Sequence, residues 1–263
     1  MEDAFLSVAT ELAERADVVA RQYFRQAETS WKSDNTPVTE ADIAINQLVI
    51  DTISQRFPTH GIVGEEASLL TDGAEWVWVC DPIDGTIPYA LGVPTSAFSL
   101  ALTRNGEVVL GVASDFHAER LFTAVQGEGA YLNGTRLEPS RIVSLRSSVT
   151  DIEGIWMRGM NEDIDLTRFP ALLEREGSKV LKVCSMVYAG LMVATGQLAG
   201  MISRGDKPWD VAALKVIVEE AGGRVTDLYG ENPRWDGRVR GCIVSAAGVH
   251  ADYRKLVAEA AAG

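Results

Sequence analysis

Cysteine, histidine and positive charge are all scarce in this sequence, and each shortage excludes something. The 263 residues include 3 cysteines (Cys80, Cys184, Cys242) and 3 histidines (His60, His117, His250), all far apart. An odd, scattered set of thiols excludes a disulfide framework and a zinc knuckle, and fits a reducing cytoplasm. Histidines at no ligand spacing leave zinc chemistry unsupported. Lys and Arg number 24 against 37 Asp and Glu, a net charge of −13. That field repels phosphodiester backbones and anionic lipid, so neither a nucleic-acid polymer nor a membrane is an expected partner. No run approaches the roughly 18 apolar residues of a membrane helix. Glu2 and Asp3 stand where a secretory leader carries cations, so the expected location is the cytoplasm.

Several catalytic signatures are absent as well. There is no G-x-x-x-x-G-K-[ST], no G-x-S-x-G and no H-E-x-x-H. Six residues beyond the three cysteines stand Thr86, Gly190 and Gly248, where a cysteine phosphatase needs arginine.

What is present is ordinary globular composition, 46% hydrophobic and 23% charged. Phe5, Val8, Leu12, Ala16, Val19 and Phe24 recur at helical spacing and predict a long helix over 4–28. A second helix follows Thr39 and runs to Phe57, where Pro58 and Gly61 stop it. From Trp76 the period becomes that of strands, with turns at Asn105-Gly106 and Asn133-Gly134, which predicts an antiparallel meander. Beyond 150, helices are expected at 166–176, 186–198, 211–221 and 253–262, and extended segments at 180–184, 225–228 and 242–246. Two subdomains in one compact unit follow, 1–150 and 151–263.

The segment Asp81-Pro82-Ile83-Asp84-Gly85-Thr86 carries the most chemistry. A strand of aromatics and valines delivers two carboxylates to its end, Pro82 stiffens the turn, and Gly85 permits close backbone approach. Mg²⁺ binds anionic oxygens in octahedral array, completed by water and substrate phosphate, so the pair is suited to such ions. Asp is also a common turn former. Further acids stand at Gly64-Glu65-Glu66, at Thr39-Glu40-Ala41-Asp42, where Asp42 has capping-box spacing, and at Trp209-Asp210, where Asp210 is placed to cap the helix that follows. If Ile87 to Leu91 forms a helical turn, the backbone N–H groups of Gly85 and Thr86 open it and cradle phosphate oxygens.

Together these segments resemble the signature of the inositol monophosphatase family of Mg²⁺-dependent, lithium-sensitive phosphatases. Asn35-Thr-Pro-Val-Thr-Glu-Ala-Asp42, Val193-Ala-Thr-Gly196 and Glu220-Ala-Gly-Gly223 extend the likeness over nearly the whole chain. The resemblance implies an α/β fold, a layered αβαβα sandwich of the sugar-phosphatase type, and a homodimer. It implies that Glu65, Asp81, the Ile83 carbonyl, Asp84 and Asp210 ligate two or three Mg²⁺, and that Glu65 with the Thr86–Asp42 pair orients and deprotonates the attacking water. The reaction implied is hydrolysis of a small phosphorylated metabolite: an inositol phosphate, histidinol phosphate, a sugar phosphate or a 3′-phosphonucleotide.

The leaving-group side departs from the inositol enzymes. Cys184, Ser185 and Met186 replace Gly-Thr-Ala, and Ser203 replaces a ring-binding glutamate, which argues against inositol phosphate. Asp84, Gly85, Thr86, Ser185, Ser203, Arg204 and Asp210 are the expected substrate contacts, with Arg204 able to meet a carboxylate or a second phosphate. A different reading keeps the scaffold without catalysis, as a regulatory protein that binds metal and a phosphometabolite.

Overall fold

The computed structural model describes residues 2–26, 28–32, 37–154 and 163–262. Asn35 and Thr36 of the first acidic segment lie outside them. The chain begins with α1 (Glu2–Tyr23), a narrow ribbon of β1 (Thr29–Trp31) and β2 (Pro37–Thr39), and α2 (Glu40–Arg56). The first large sheet follows: β3 (Gly61–Gly64), β4 (Trp76–Asp84), then a short α3 (Thr86–Leu91), β5 (Ala97–Arg104), β6 (Glu107–Asp115), β7 (Arg120–Val125), β8 (Gly129–Leu132) and β9 (Thr135–Arg136). These seven strands lie in chain order, antiparallel throughout except for the parallel β3–β4 pair.

The remainder builds a second sheet from β10 (Val149–Glu153), α4 (Phe169–Arg175), β11 (Lys179–Leu181), α5 (Met186–Ala194), β12 (Gly200–Ser203), α6 (Ala212–Glu220), β13 (Gly223–Thr226), β14 (Cys242–Ala246) and α7 (His250–Ala261). Its strand order is β11-β10-β12-β14-β13, parallel around β10 and antiparallel beyond β12.

Strand alternation explains how the layers stack. Along β4 and β5, Trp78, Cys80, Phe98, Leu100 and Leu102 join the core beneath α1 and α2, whereas Val79, Ala97 and Ala101 face α5 and α6. Large side chains thus fill the first interface, and small ones let the second pair of helices approach closely. α5 carries no charged residue and is buried on nearly all sides because it lies between the two sheets. A Cβ on Gly190 would sit 2.3 Å from Leu214 Cδ1, so α5 and α6 cross at this distance only with glycine there. On the far side, α4 and α7 cover the second sheet through Phe169, Leu173, Tyr253 and Leu256. The result is the expected αβαβα sandwich. Among the described residues, no helix is long and apolar enough to cross a membrane.

The expected elements differ from the observed ones at their edges. The first helix stops at Tyr23, with Arg25 at φ +64° just beyond it, and α5 stops at Ala194 before Gly196 turns at φ +74°. The β1–β2 ribbon, β10 and β12 have no counterpart in the sequence reading. β10 carries Asp151 and Glu153, which interrupt its apolar pattern, and β12 is only Gly-Met-Ile-Ser.

Candidate metal and phosphate site

Asp81 and Asp84 are three residues apart, and in a regular strand they would point to opposite faces. β4 avoids this with a bulge: Asp81 pairs with Ser99 and Asp84 with Ala97, so Pro82 and Ile83 together oppose Phe98. Ile83 turns into the core beneath α1 and α2, and both aspartates face α5. Proline is at home here, since a bulge needs no ladder donor. Immediately after the bulge, Gly85 adopts φ +82°, and a Cβ there would lie 2.8 Å from Ser185 Cβ and 3.1 Å from the Thr95 carbonyl oxygen. Only glycine lets β4 turn into α3 this close to α5.

Asp84 also holds the start of α5. Its carboxylate accepts the backbone N–H of Met186 at 3.2 Å and of Val187 at 2.8 Å, together with the Ser185 hydroxyl. A carboxylate at a helix N-terminus is favoured by the exposed donors and the helix dipole. Asp210 arrives from the turn before α6. It does not cap that helix as expected: α6 begins at Ala212, with Val211 as its cap residue. The N–H groups of Val211 and Ala212 donate instead to the Pro208 carbonyl, which tightens the turn and leaves Asp210 facing the aspartates of β4. One carboxylate oxygen from each of Asp81, Asp84 and Asp210 falls within 4.8 Å of the others, with Asp81 and Asp84 buried and Asp210 partly exposed.

Glu65 stands next to this triad rather than inside it. Its N–H donates to the Cys80 carbonyl at 3.2 Å, extending the β3–β4 pairing beside Asp81. Its carboxylate is held by Lys32, whose Nζ lies 2.9 Å from Glu65 Oε1 and 2.6 Å from Glu66 Oε1. Asp42 occupies the capping-box position foreseen for it: the Thr39 N–H donates to Oδ2 at 2.9 Å and the Thr39 hydroxyl donates to the same oxygen, while Oδ1 is buried with no hydrogen-bond partner. The expected Thr86–Asp42 pair is not joined by a hydrogen bond. Thr86 Oγ1 donates to the Ile83 carbonyl at 3.2 Å, because the α3 turn folds the hydroxyl back onto the bulge.

Beside the triad lies a cavity of about 190 Å³ whose lining includes Asp84, Asp210, Ser185 and Ser203. Arg204 does not line it. Strand alternation turns its side chain away from Ser203, and Arg204 is buried on the side where its charge acts on Asp165. Asp206 is taken by Arg238 Nε at 2.9 Å and Lys207 Nζ at 3.5 Å. Three charged residues around the site escape the sequence reading: Lys32, Asp151 and Glu153. A pair of acids two apart in a short strand was the available signal for the last two. For Lys32 there was none.

The electrostatics call for a cation. Burial, then the charges of Glu65, Asp84 and Asp210, push the Asp81 carboxyl well above the usual range. Burial, then Asp84 and Glu65, do the same to Asp210. Burial also pushes Asp84 up to about 7 against the pull of its hydrogen bonds from Ser185, Val187 and Met186, and Asp42 up to about 7 against that of Thr39. Asp81 Oδ1 is buried without a hydrogen-bond partner. Carboxylates at such spacing cannot all ionise unless positive charge lies between them, and an all-oxygen donor set suits a hard divalent ion such as Mg²⁺.

The sequence profile described as the inositol monophosphatase family matches residues 1–262. The chain therefore belongs to that family, whose enzymes are phosphoric monoester hydrolases. It is 35% identical over 237 residues to a histidinol-phosphatase of Chlorobaculum parvum, covering 88% of this chain and 89% of that protein. It is 34% identical to the Nus factor SuhB of Pasteurella multocida, covering 86% and 85%. Among solved structures, the Thermotoga maritima inositol monophosphatase superimposes with a TM-score of 0.84 at 28% identity, covering 99% of this chain and 98% of that one.

Proposed function

We propose that this chain is a Mg²⁺-dependent phosphatase that hydrolyses a small phosphate monoester by direct attack of water. The observation that carries the reading is the convergence of Asp81, Asp84 and Asp210, with a buried Asp81 oxygen left without a partner. Asp81, Asp84, Asp210, Glu65 and the Ile83 carbonyl would hold two or three ions. When bound, Mg²⁺ supplies Lewis-acid polarisation of the phosphoryl group and of the attacking water, and offsets charge on the leaving oxygen.

The chain's own groups do the rest. Glu65 orients the water and takes its proton. The Thr86 hydroxyl proton is committed to Ile83, so its oxygen accepts a hydrogen from the water. Asp42, on the adjoining turn of α2, adds to the same acidic field. The backbone N–H groups of Gly85 and Thr86 receive phosphoryl oxygens, and Ser185 and Ser203 face the leaving group. A P–O bond forms to water, the ester P–O bond breaks, and the alcohol departs with a proton. The 1–150 half carries most ligands and the 151–263 half closes the site. The reading includes a cytoplasmic homodimer, supported by three free cysteines and by exposed Ile87, Leu91 and Val93 around α3.

Phosphate release over a panel of monoesters tests the proposal: turnover that requires Mg²⁺ and is lost in Asp84→Asn supports it. The relative named Nus factor SuhB favours a second reading, a binding protein on the same scaffold. Absence of turnover over the whole panel, with Mg²⁺ still bound, would establish that one instead.

A further inference from the structure

Two buried carboxylates near the site have no part in the hydrolysis just described. Asp151 and Glu153 lie two apart on β10 and project from one face, toward the loop that leads into α5. The Val183 N–H donates to Asp151 Oδ1 at 2.8 Å and the Cys184 N–H to Glu153 Oε1 at 2.6 Å. Asp151 is fully buried, and its Oδ2 has no hydrogen-bond partner.

Glu153 lines the same cavity as Asp84 and Asp210, together with Cys184, Met186 and Ser203, and its charge acts on Asp84. Ser203 is neutral and offsets no charge; its Oγ accepts the Gly205 N–H at 2.9 Å. No lysine or arginine is among the described residues that line the cavity. Lys182 is exposed at the loop surface, and its field reaches both acids. A small organic group fits a cavity on this scale.

We propose that the Glu153 side of this cavity recognises a positive charge on the leaving alcohol, so that the substrate class is the phosphate monoester of a small amino alcohol. This rests on the hydrolase reading above. Divalent ions would balance the acids of the triad, and the single charge of Lys182 offsets only one of Glu153 and Asp151, which leaves negative charge on this side of the cavity. A buried carboxylate is costly unless paired. The Cys184 and Val183 N–H groups both act on the Glu153 carboxylate and leave about half of its four acceptor positions, and an ammonium brings three donors together with a positive charge. A polyol would satisfy the lone pairs but not the charge. A second phosphate would meet charge of its own sign.

An isosteric pair tests this: 3-aminopropyl phosphate against n-butyl phosphate, assayed by phosphate release with the whole chain and saturating Mg²⁺. The expected kcat/KM ratio is at least tenfold in favour of the amine. In Glu153→Gln the ratio collapses toward one, and in Glu153→Asp, which keeps the charge, a preference for the amine returns. A wild-type ratio of one or below overturns the inference, whether or not the variants fold. A ratio that Glu153→Gln leaves unchanged also overturns it. Equal hydrolysis of both esters sinks the inference alone. If neither ester nor p-nitrophenyl phosphate is turned over, the hydrolase reading falls and takes the inference with it.

Discussion

Lys32 Nζ bridges to Glu65 Oε1 at 2.9 Å, so the carboxylate expected to act on water is already paired with a lysine from the end of the β1–β2 ribbon. The same ammonium holds Glu66, and both pairs are largely shielded from solvent. If Glu65 holds a metal ion as proposed, Lys32 would compete for it and oppose cation binding through its field.

Lys32→Met should therefore tighten Mg²⁺ binding. The concentration for half-maximal activity should fall by about two- to tenfold, the range of a partly shielded ion pair. An activity titration against Mg²⁺ measures it, and an unchanged or raised midpoint would contradict the competition.

Asp210→Asn separates catalysis from stability. Activity should fall by roughly 10²–10³, the scale for losing one transition-state electrostatic contact. The metal-free protein should nevertheless melt about 2–4 °C higher, as expected for relief of ~1 kcal/mol of like-charge repulsion in a chain this size. Calorimetry in chelator checks the second outcome. A lower melting temperature would mean that Asp210 has a structural partner.

The carboxyls of Asp42 and Asp84, each pushed up to about 7 by burial, set a pH dependence. Their folded-state values lie above the unfolded value near 3.8, so folding favours the protonated forms. Stability from this source is complete below about pH 4 and is lost as pH rises through 7. Mg²⁺ restores it by pairing the ionised forms. Melting curves with and without Mg²⁺ should coincide near pH 4 and separate increasingly toward pH 8. A constant gap across that range would refute the assignment.

Gly85→Ala should cost roughly 2–4 kcal/mol, from the left-handed backbone and the 2.8 Å approach to Ser185 Cβ. Because Ser185 caps α5 and contacts Asp84, activity should fall further than stability does. Denaturant titration alongside kcat would show it, and a variant of unaltered kcat would argue that the turn is not coupled to the site.

Much of this protein is readable from local chemistry. Trp76 to Asp81 is a strand because β-branched and aromatic residues favour one, and Asn105-Gly106 makes a hairpin because both residues take positive φ. Asp42 reads as a capping-box acid from its spacing to Thr39. Such features depend on neighbours within a few residues, and so does the acidic turn at 81–86, whose paired aspartates already suited a hard divalent ion.

Tertiary structure decided the rest. The β4 bulge arises from pairing with β5 and is what brings Asp81 and Asp84 to one face. Asp210 reaches them only because α6 packs between the sheets, and packing released it from the capping role its spacing suggested. Lys32 meets Glu65, and Glu153 shares a cavity with Asp84 and Asp210, through contacts between segments that carry no local record of one another. Spacing along the chain specifies what a residue is able to do. Burial and long-range contact specify which charges it must live beside, and here those charges create the demand for a cation.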